Sequence, residues 1–175
     1  MRNTKKSLRK VAVAIATTLL SSAGLMAATT TSAHAACPDD IRYSLRAVST
    51  YVPFKGLPIY KDGKGGTMSL TRDFTKSASY QVTAGAETEA GAILAKAKVS
   101  ISASLTKTNS STVTHNYSHK ISSNKYGHAQ YVSWGKKVYW KKYRDTPTCT
   151  TQLIAKGAIK FPTNQEGWRY WETYS

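Results

Sequence analysis

Between Ile93 and Leu105 the chain alternates with a period of two. Ile93, Ala95, Ala97, Val99, Ile101, Ala103 and Leu105 interleave with Leu94, Lys96, Lys98, Ser100, Ser102 and Ser104. After Lys107-Thr108-Asn109-Ser110 the alternation resumes, with Val113, His115, Tyr117, His119 and Ile121 set against Thr112, Thr114, Asn116, Ser118 and Lys120. Period two marks a strand with one face buried. With Asn109 at the centre of a reversal, Leu105 falls opposite Val113, Ile101 opposite Tyr117 and Ala97 opposite Ile121, so the apolar faces coincide. The pattern predicts a long amphipathic β-hairpin over about 93–121, led into by residues 77–88.

The rest of the chain reads the same way, and no long run shows apolar spacing of three and four. Arg42–Tyr51 predicts a strand that ends at Val52-Pro53. Lys61-Asp62-Gly63-Lys64-Gly65-Gly66 is a turn by residue type, with Thr67–Arg72 as the returning strand. Tyr126–Arg144 is strand-like with a break near Gly135. Leu153–Phe161 and Trp168–Tyr174 predict two further short strands separated by Pro162-Thr163-Asn164. The expected fold is all-β, a single sandwich-like and elongated domain.

The first 35 residues depart from this pattern. Arg2, Lys5, Lys6, Arg9 and Lys10 precede an apolar or small stretch from Val11 to about Ala28, which ends at Ala33-His34-Ala35. A basic start, an apolar centre and a small-x-small site predict a secretory signal cleaved after Ala35 or Ala36. The polar residues Thr17, Thr18, Ser21 and Ser22 argue against a spanning helix, which wants about 20 predominantly apolar residues. The length and Ala/Thr richness resemble export signals of high-GC Gram-positive bacteria. The expectation is a secreted, extracellular protein with a signal at 1–35 and one β domain at 36–175.

Charge and cysteine content sharpen this picture. The whole chain carries 25 Lys and Arg against 9 acids. Removing the five cations of the signal leaves the β domain near +11 (25 − 5 − 9). Cys37 and Cys149 are the two cysteines, and an even count in an oxidising compartment predicts a disulfide. A competing reading makes Cys37 a lipid-modified N-terminus after Ala35-Ala36, although His34 replaces the branched apolar residue that such a signal uses.

Candidate catalytic groups are sparse. His115 and His119 have the HxxxH spacing of zinc proteases, but Asn116 follows the first histidine where those enzymes place Glu. On a strand the two rings also stand about 13 Å apart. Glu87 and Glu89 share a strand face near the separation of glycosidase carboxylates, with Lys96 and Lys98 at hand as simple ion-pair partners. Asp62–Thr67 lacks the spacer of a phosphate loop. With both cysteines bridged no thiolate nucleophile is left. No catalytic residue, cofactor or metal is therefore assigned, and the chain reads as a non-enzyme.

The remaining signal is cationic and aromatic. Lys136, Lys137, Tyr139, Trp140, Lys141, Lys142, Tyr143 and Arg144 surround Val138 in nine consecutive residues. On a strand, Lys137, Tyr139, Lys141 and Tyr143 share one face, and Lys136, Val138, Trp140, Lys142 and Arg144 the other. Rings beside cations suit anionic lipid head groups or wall polymers; an exported protein is a poor match for nucleic acid. Trp168, Arg169, Tyr170 and Trp171 form a second cluster.

The Ser/Thr-rich amphipathic stretch from about Ala86 to Ile121 resembles the hairpin of aerolysin-like β-pore-forming proteins (the epsilon-toxin and mosquitocidal-toxin type). That resemblance implies a hairpin folded against a β domain that joins those of other copies in a membrane barrel. Ile93, Val99, Ile101, Leu105, Val113, Tyr117 and Ile121 would then face lipid, and the protein would form homo-oligomers. The chain is short for that family and carries no separate receptor-binding domain. The leading expectation is a secreted non-catalytic protein that binds anionic membrane or cell-wall surfaces. The alternatives are a secreted protease inhibitor or protein-binding module, with Lys61–Gly66 or Lys107–Ser110 as the presented loop, and a secreted hydrolase.

Overall fold

The computed structural model describes residues 37–73, 75–83, 85–112 and 114–175. The sequence-predicted signal and its cleavage site lie outside these residues. The elements are β1 (Asp40–Pro53), β2 (Tyr60–Lys64), β3 (Thr67–Arg72), β4 (Lys76–Ser79), β5 (Gln81–Val82), α1 (Ala90–Ser100), β6 (Thr108–Ser111), β7 (His115–Lys120), β8 (Tyr126–Asp145) and β9 (Thr151–Thr173). The fold is all-β with one short helix, and Cys37 is bridged to Cys149. The bridge occupies Cys37 and removes it as a lipid thioether.

A long antiparallel sheet in the order β1-β8-β9-β5 organises the molecule, with β2 also paired to β8. The register of β1 on β8 runs unbroken from Asp40 opposite Asp145 to Pro53 opposite Val132. Gly135 does not break β8. The irregularity falls on β9, where Ser133 faces Glu166 but Gly135 faces Pro162, so Thr163–Gln165 bulge from the ladder. The two short C-terminal strands expected from the sequence are thus one strand interrupted by that bulge. A Cβ at Gly135 would come within 2.2 Å of the Phe161 carbonyl oxygen, so only glycine fits there.

The second β unit is an arm. In β3 and β7, Thr67 faces Lys120 and Arg72 faces His115; in β4 and β6, Lys76 faces Ser111 and Ser79 faces Thr108. Arg72 to Lys76 and Ser111 to His115 are both four-residue steps, so the two pairs share one register. The Tyr80 amide extends it by donating to Lys107 O at 2.8 Å. Beyond that point the chain departs: β5 adds to β9, α1 packs on the sheet, and Leu105 bridges to Thr163.

The hairpin expected over 93–121 is therefore absent in the form the alternation suggested. Its first limb is α1, and its second pairs with β3 and β4 rather than with residues 97–105. Asn109, the expected reversal point, lies within β6 opposite Ala78, with its amide donating to Ser133 Oγ at 3.3 Å. The reason lies in alanine, which satisfies either period. Ala90, Ile93, Leu94 and Ala97 are the buried positions of α1 and follow helical spacing of three, four and seven. Ala, Leu and Lys are also strong helix formers. Likewise β2 does not pair with β3; its partner is β8.

Burial divides along the sheet. Around Tyr126–Ser133, the buried face of β8 is Ala129, Tyr131 and Ser133, which meets Phe54 and Val52 on one side and Met68 and Ile121 of the arm on the other. Around Lys136–Tyr143 the opposite face is buried: Val138, Trp140, Ile159 and Phe161 pack beneath Ala90, Ile93, Leu94, Ala97 and Leu105. Since alternate residues of a strand point to opposite faces, the two covers lie on opposite faces of the same ladder. Trp140 lies over Gly157, where a Cβ would meet the indole at 3.0 Å.

Candidate surface-binding site

Because α1 covers the Trp140 face of the lower sheet, the Tyr139 face stays open. Cross-strand register sets its layout in rows. Val48, Lys137, Lys160 and Gln81 form one row; Arg46, Tyr139 and Ala158 the next; Ser44, Lys141 and Lys156 the third. Arg42 and Tyr143 follow, with the guanidinium 5.5 Å from the ring centroid. Lys137 Nζ stands 4.9 Å from the Tyr139 ring centroid. The small side chain of Ala158, opposite Tyr139, leaves a shallow trough beside that ring, walled by Arg46, Lys141, Lys156 and Thr83.

Electrostatically this face is cationic except at its far end, where Asp40 lies opposite Asp145. Asp145 lies at its far end and is held by Arg42 at 2.7 Å, which keeps the carboxyl below the usual carboxylate range. Arg46, Lys137, Lys141, Lys156 and Lys160 take part in no ion pair among the described residues. The same face exposes Tyr139 (42%), Val48 (38%) and Leu153 (49%).

The eight residues singled out from the sequence separate as their alternation implies. Lys137, Tyr139, Lys141 and Tyr143 share the open face. Trp140 is buried beneath α1 and cannot reach a surface ligand. Lys142 Nζ donates to Glu89 Oε1 at 2.8 Å, and Tyr43 Oη donates to Glu89 Oε2 at 2.8 Å. The bond from Lys142, and then that from Tyr43, hold the Glu89 carboxyl below its ordinary value. Arg144 is tied to Asp39, and Lys136 donates to Ser49 Oγ at 3.0 Å. Sequence reasoning missed Arg46, Lys156 and Lys160. Each sits on a strand of alternating pattern, but only the register of β1 and β9 on β8 brings them to Tyr139.

The residues expected on a lipid-facing stripe are scattered. Ile93 is under α1, Val99 is 91% exposed on its outer side, and Leu105 is buried at the β9 bulge. Tyr117 stacks on Trp168, and Ile121 is buried beside Met68 and Ala129. Ile101 packs against the lower core, and Val113 lies outside the described residues. Of the second aromatic cluster, Trp168 and Tyr170 pack on the arm, while Arg169 is held between Tyr51 and Trp171 at 4.4 and 4.3 Å on the other face.

The histidines serve the arm. His119 packs its ring against Tyr170 at 3.9 Å, and His115 Nε2 lies 3.6 Å from Glu166. Glu166 also accepts from Tyr131 Oη at 2.8 Å and stands 3.7 Å from Arg72, which is fully buried, donates to Ser111 and faces the rings of Phe54 and Tyr131. Burial, reinforced by the Glu166 bond, pushes the Tyr131 hydroxyl well above its ordinary pKa. Among the described residues no group of three His, Cys, Asp or Glu is placed to hold a metal, and no helix is long and apolar enough to cross a membrane.

Comparison with protein-family models finds no match, and a search of curated proteins finds none either. The chemistry of the open face thus rests on its own geometry.

Proposed function

We propose that the protein is a secreted, non-catalytic β protein that attaches to anionic membrane surfaces through the open face around Tyr139. The observation that carries this reading is the company of Arg46, Lys137, Lys141, Lys156 and Lys160 around an exposed ring, with no carboxylate among them. Tyr139, Val48 and Leu153 on the same face favour the lipid interface over a wholly hydrophilic wall polymer. Surface attachment of this kind is worth about 1 kcal/mol per cation and is screened by salt. The protein is expected to co-sediment with phosphatidylglycerol vesicles at low ionic strength and to leave them as salt rises. Recovery in the supernatant at low ionic strength would sink the proposal.

A sharper second reading is favoured by the shared register of the arm. Continued past Tyr80 and Lys107, that register places Val82 opposite Leu105, Ala86 opposite Ile101, Thr88 opposite Val99 and Ala90 opposite Ala97. On the other face it places Thr83 opposite Ser104, Glu87 opposite Ser100 and Glu89 opposite Lys98. Residues 81–106 thus encode an amphipathic hairpin, centred near Ile93-Leu94, as well as the helix. Each limb exceeds the roughly 9–11 residues of a membrane strand. Its open edges require several copies to close a barrel in lipid. Val99, 91% exposed on α1, would gain an apolar setting there. Val99→Lys should therefore leave thermal stability unchanged and suppress dye release from anionic vesicles, because a cation facing lipid in a barrel costs about 2–4 kcal/mol. Wild-type protein that releases no dye would remove this reading and leave attachment standing.

A further inference from the structure

Rows on the open face set like charges against each other. Lys137 lies directly opposite Lys160, and Lys141 directly opposite Lys156. Directly opposed side chains have Cβ atoms about 4.5–5.5 Å apart, and like charges so placed destabilise a sheet. Neither pair is relieved by an ion pair among the described residues. Between the pairs lies the row of Arg46, Tyr139 and Ala158, where alanine leaves the trough open and Arg46 adds a fifth cation. At the far end of the β1–β8 ladder, by contrast, the like-charged pair Asp40 and Asp145 is relieved by Arg42, and Arg144 is paired with Asp39 just before β1. Both pairs run against the pairing rule of a sheet, and departures from such rules concentrate at functional or strained sites.

We infer that the two opposed lysine pairs form a phosphate-binding site, each pair bridged by the oxygens of one phosphate group, with Arg46 and Tyr139 between them. The two pairs stand four residues apart along β8, about 13 Å, so the site spans two phosphates rather than one. The occupant is the phosphate of anionic phospholipid head groups, two neighbouring lipids filling the two pairs. This inference rests on the attachment reading and adds to it a defined ligand group and a stability cost. Bridging oxyanions would reverse the repulsion, so ligand and fold stability are coupled through the same side chains.

The decisive variant is Lys160→Glu, which turns one repulsive pair into an attractive one. Without ligand its melting temperature should rise by roughly 2–4 °C, while its affinity for phosphatidylglycerol vesicles should fall at least about tenfold. Millimolar inorganic pyrophosphate should raise the melting temperature of the wild type, and that of Lys160→Glu by only about half as much, because the Lys141–Lys156 pair remains. Lys120→Glu, a charge-matched change on the arm, should retain the wild-type response to pyrophosphate. A variant that binds vesicles like the wild type, or a wild type whose melting temperature ignores pyrophosphate, overturns the site. A pyrophosphate response that depends on Lys160 in a protein that ignores vesicles keeps the site and discards membrane attachment.

Discussion

The upper and lower halves of the long sheet are covered in different ways. Above the β9 bulge the cover is a β arm, closed by a buried polar clasp in which Arg72 of β3, His115 of β7 and Tyr131 of β8 converge on Glu166 of β9. Below it the cover is one short helix that buries Ala90, Ile93, Leu94 and Ala97, tied by Glu89 to Lys142 and Tyr43 at a partly buried rim. A fully buried arginine makes the upper cover costly to lift, because lifting it strands a charge. The lower cover holds by apolar packing on Val138, Trp140, Ile159 and Phe161 and by an ion pair at its rim, and lifting it strands no fully buried charge. Under the proposed function the difference divides the work: the upper half would keep the fold, while the lower half would present cations on one face and a releasable segment on the other.

The largest expected effect concerns the end of the lower half, where the bridge joins the segments before β1 and after β8. Replacing Cys37 and Cys149 by serine reopens a loop of 112 residues. The chain-entropy estimate for that loop is about 4–5 kcal/mol. Urea unfolding should show a loss of this order; a negligible loss would mean that the β1–β8 ladder alone fixes that end. Next comes Glu166→Ala, which removes the carboxylate on which Arg72, His115 and Tyr131 converge and should cost about 3 kcal/mol. Hydrogen exchange should then quicken in β3 and β7. Equal quickening in α1 would dissolve the distinction between the covers.

Smaller effects sharpen the comparison. Glu89→Gln should cost less than about 1 kcal/mol and speed exchange in α1 alone. Acid should act in the same direction. The folded Glu89 carboxyl lies below its ordinary value near 4.5, so its stabilising contribution is complete above that pH and is lost as pH falls through the lowered value. Glu172 accepts from the Ser122 amide and Tyr170 Oη, and these bonds bring its pKa down to about 2. Its contribution to the upper half is therefore lost gradually between pH 4.5 and 2. Glu172→Gln should flatten the acid limb of stability in that window, and an unchanged slope would show that the carboxylate is not held in solution.

What was legible in the sequence follows from which residues are ambiguous. Strands β1 and β3 and the strand character of β8 and β9 follow from alternation, though not the continuity of β8 through Gly135 or of β9 through its bulge, and the disulfide follows from cysteine count and compartment. The division of Lys136–Arg144 into two faces follows from period two alone. Residues 90–100 do not, since alanine carries too little apolar area to distinguish helix from strand. Their environment under Trp140 and Phe161 decides. Arg46, Lys156 and Lys160 were hidden for another reason: membership in the site is a matter of register among strands far apart in sequence. The clasp at Glu166 was equally invisible, because Arg72 in a polar turn-rich stretch gives no sign that it will be wholly buried.

Hydrogen exchange with and without phosphatidylglycerol vesicles tests the division of labour most directly. Vesicles should alter exchange in residues 85–107, 137–143 and 155–160 while β3, β7 and residues 126–133 keep their protection. Changes confined to the arm and residues 126–133, or no change anywhere at low salt, would contradict it.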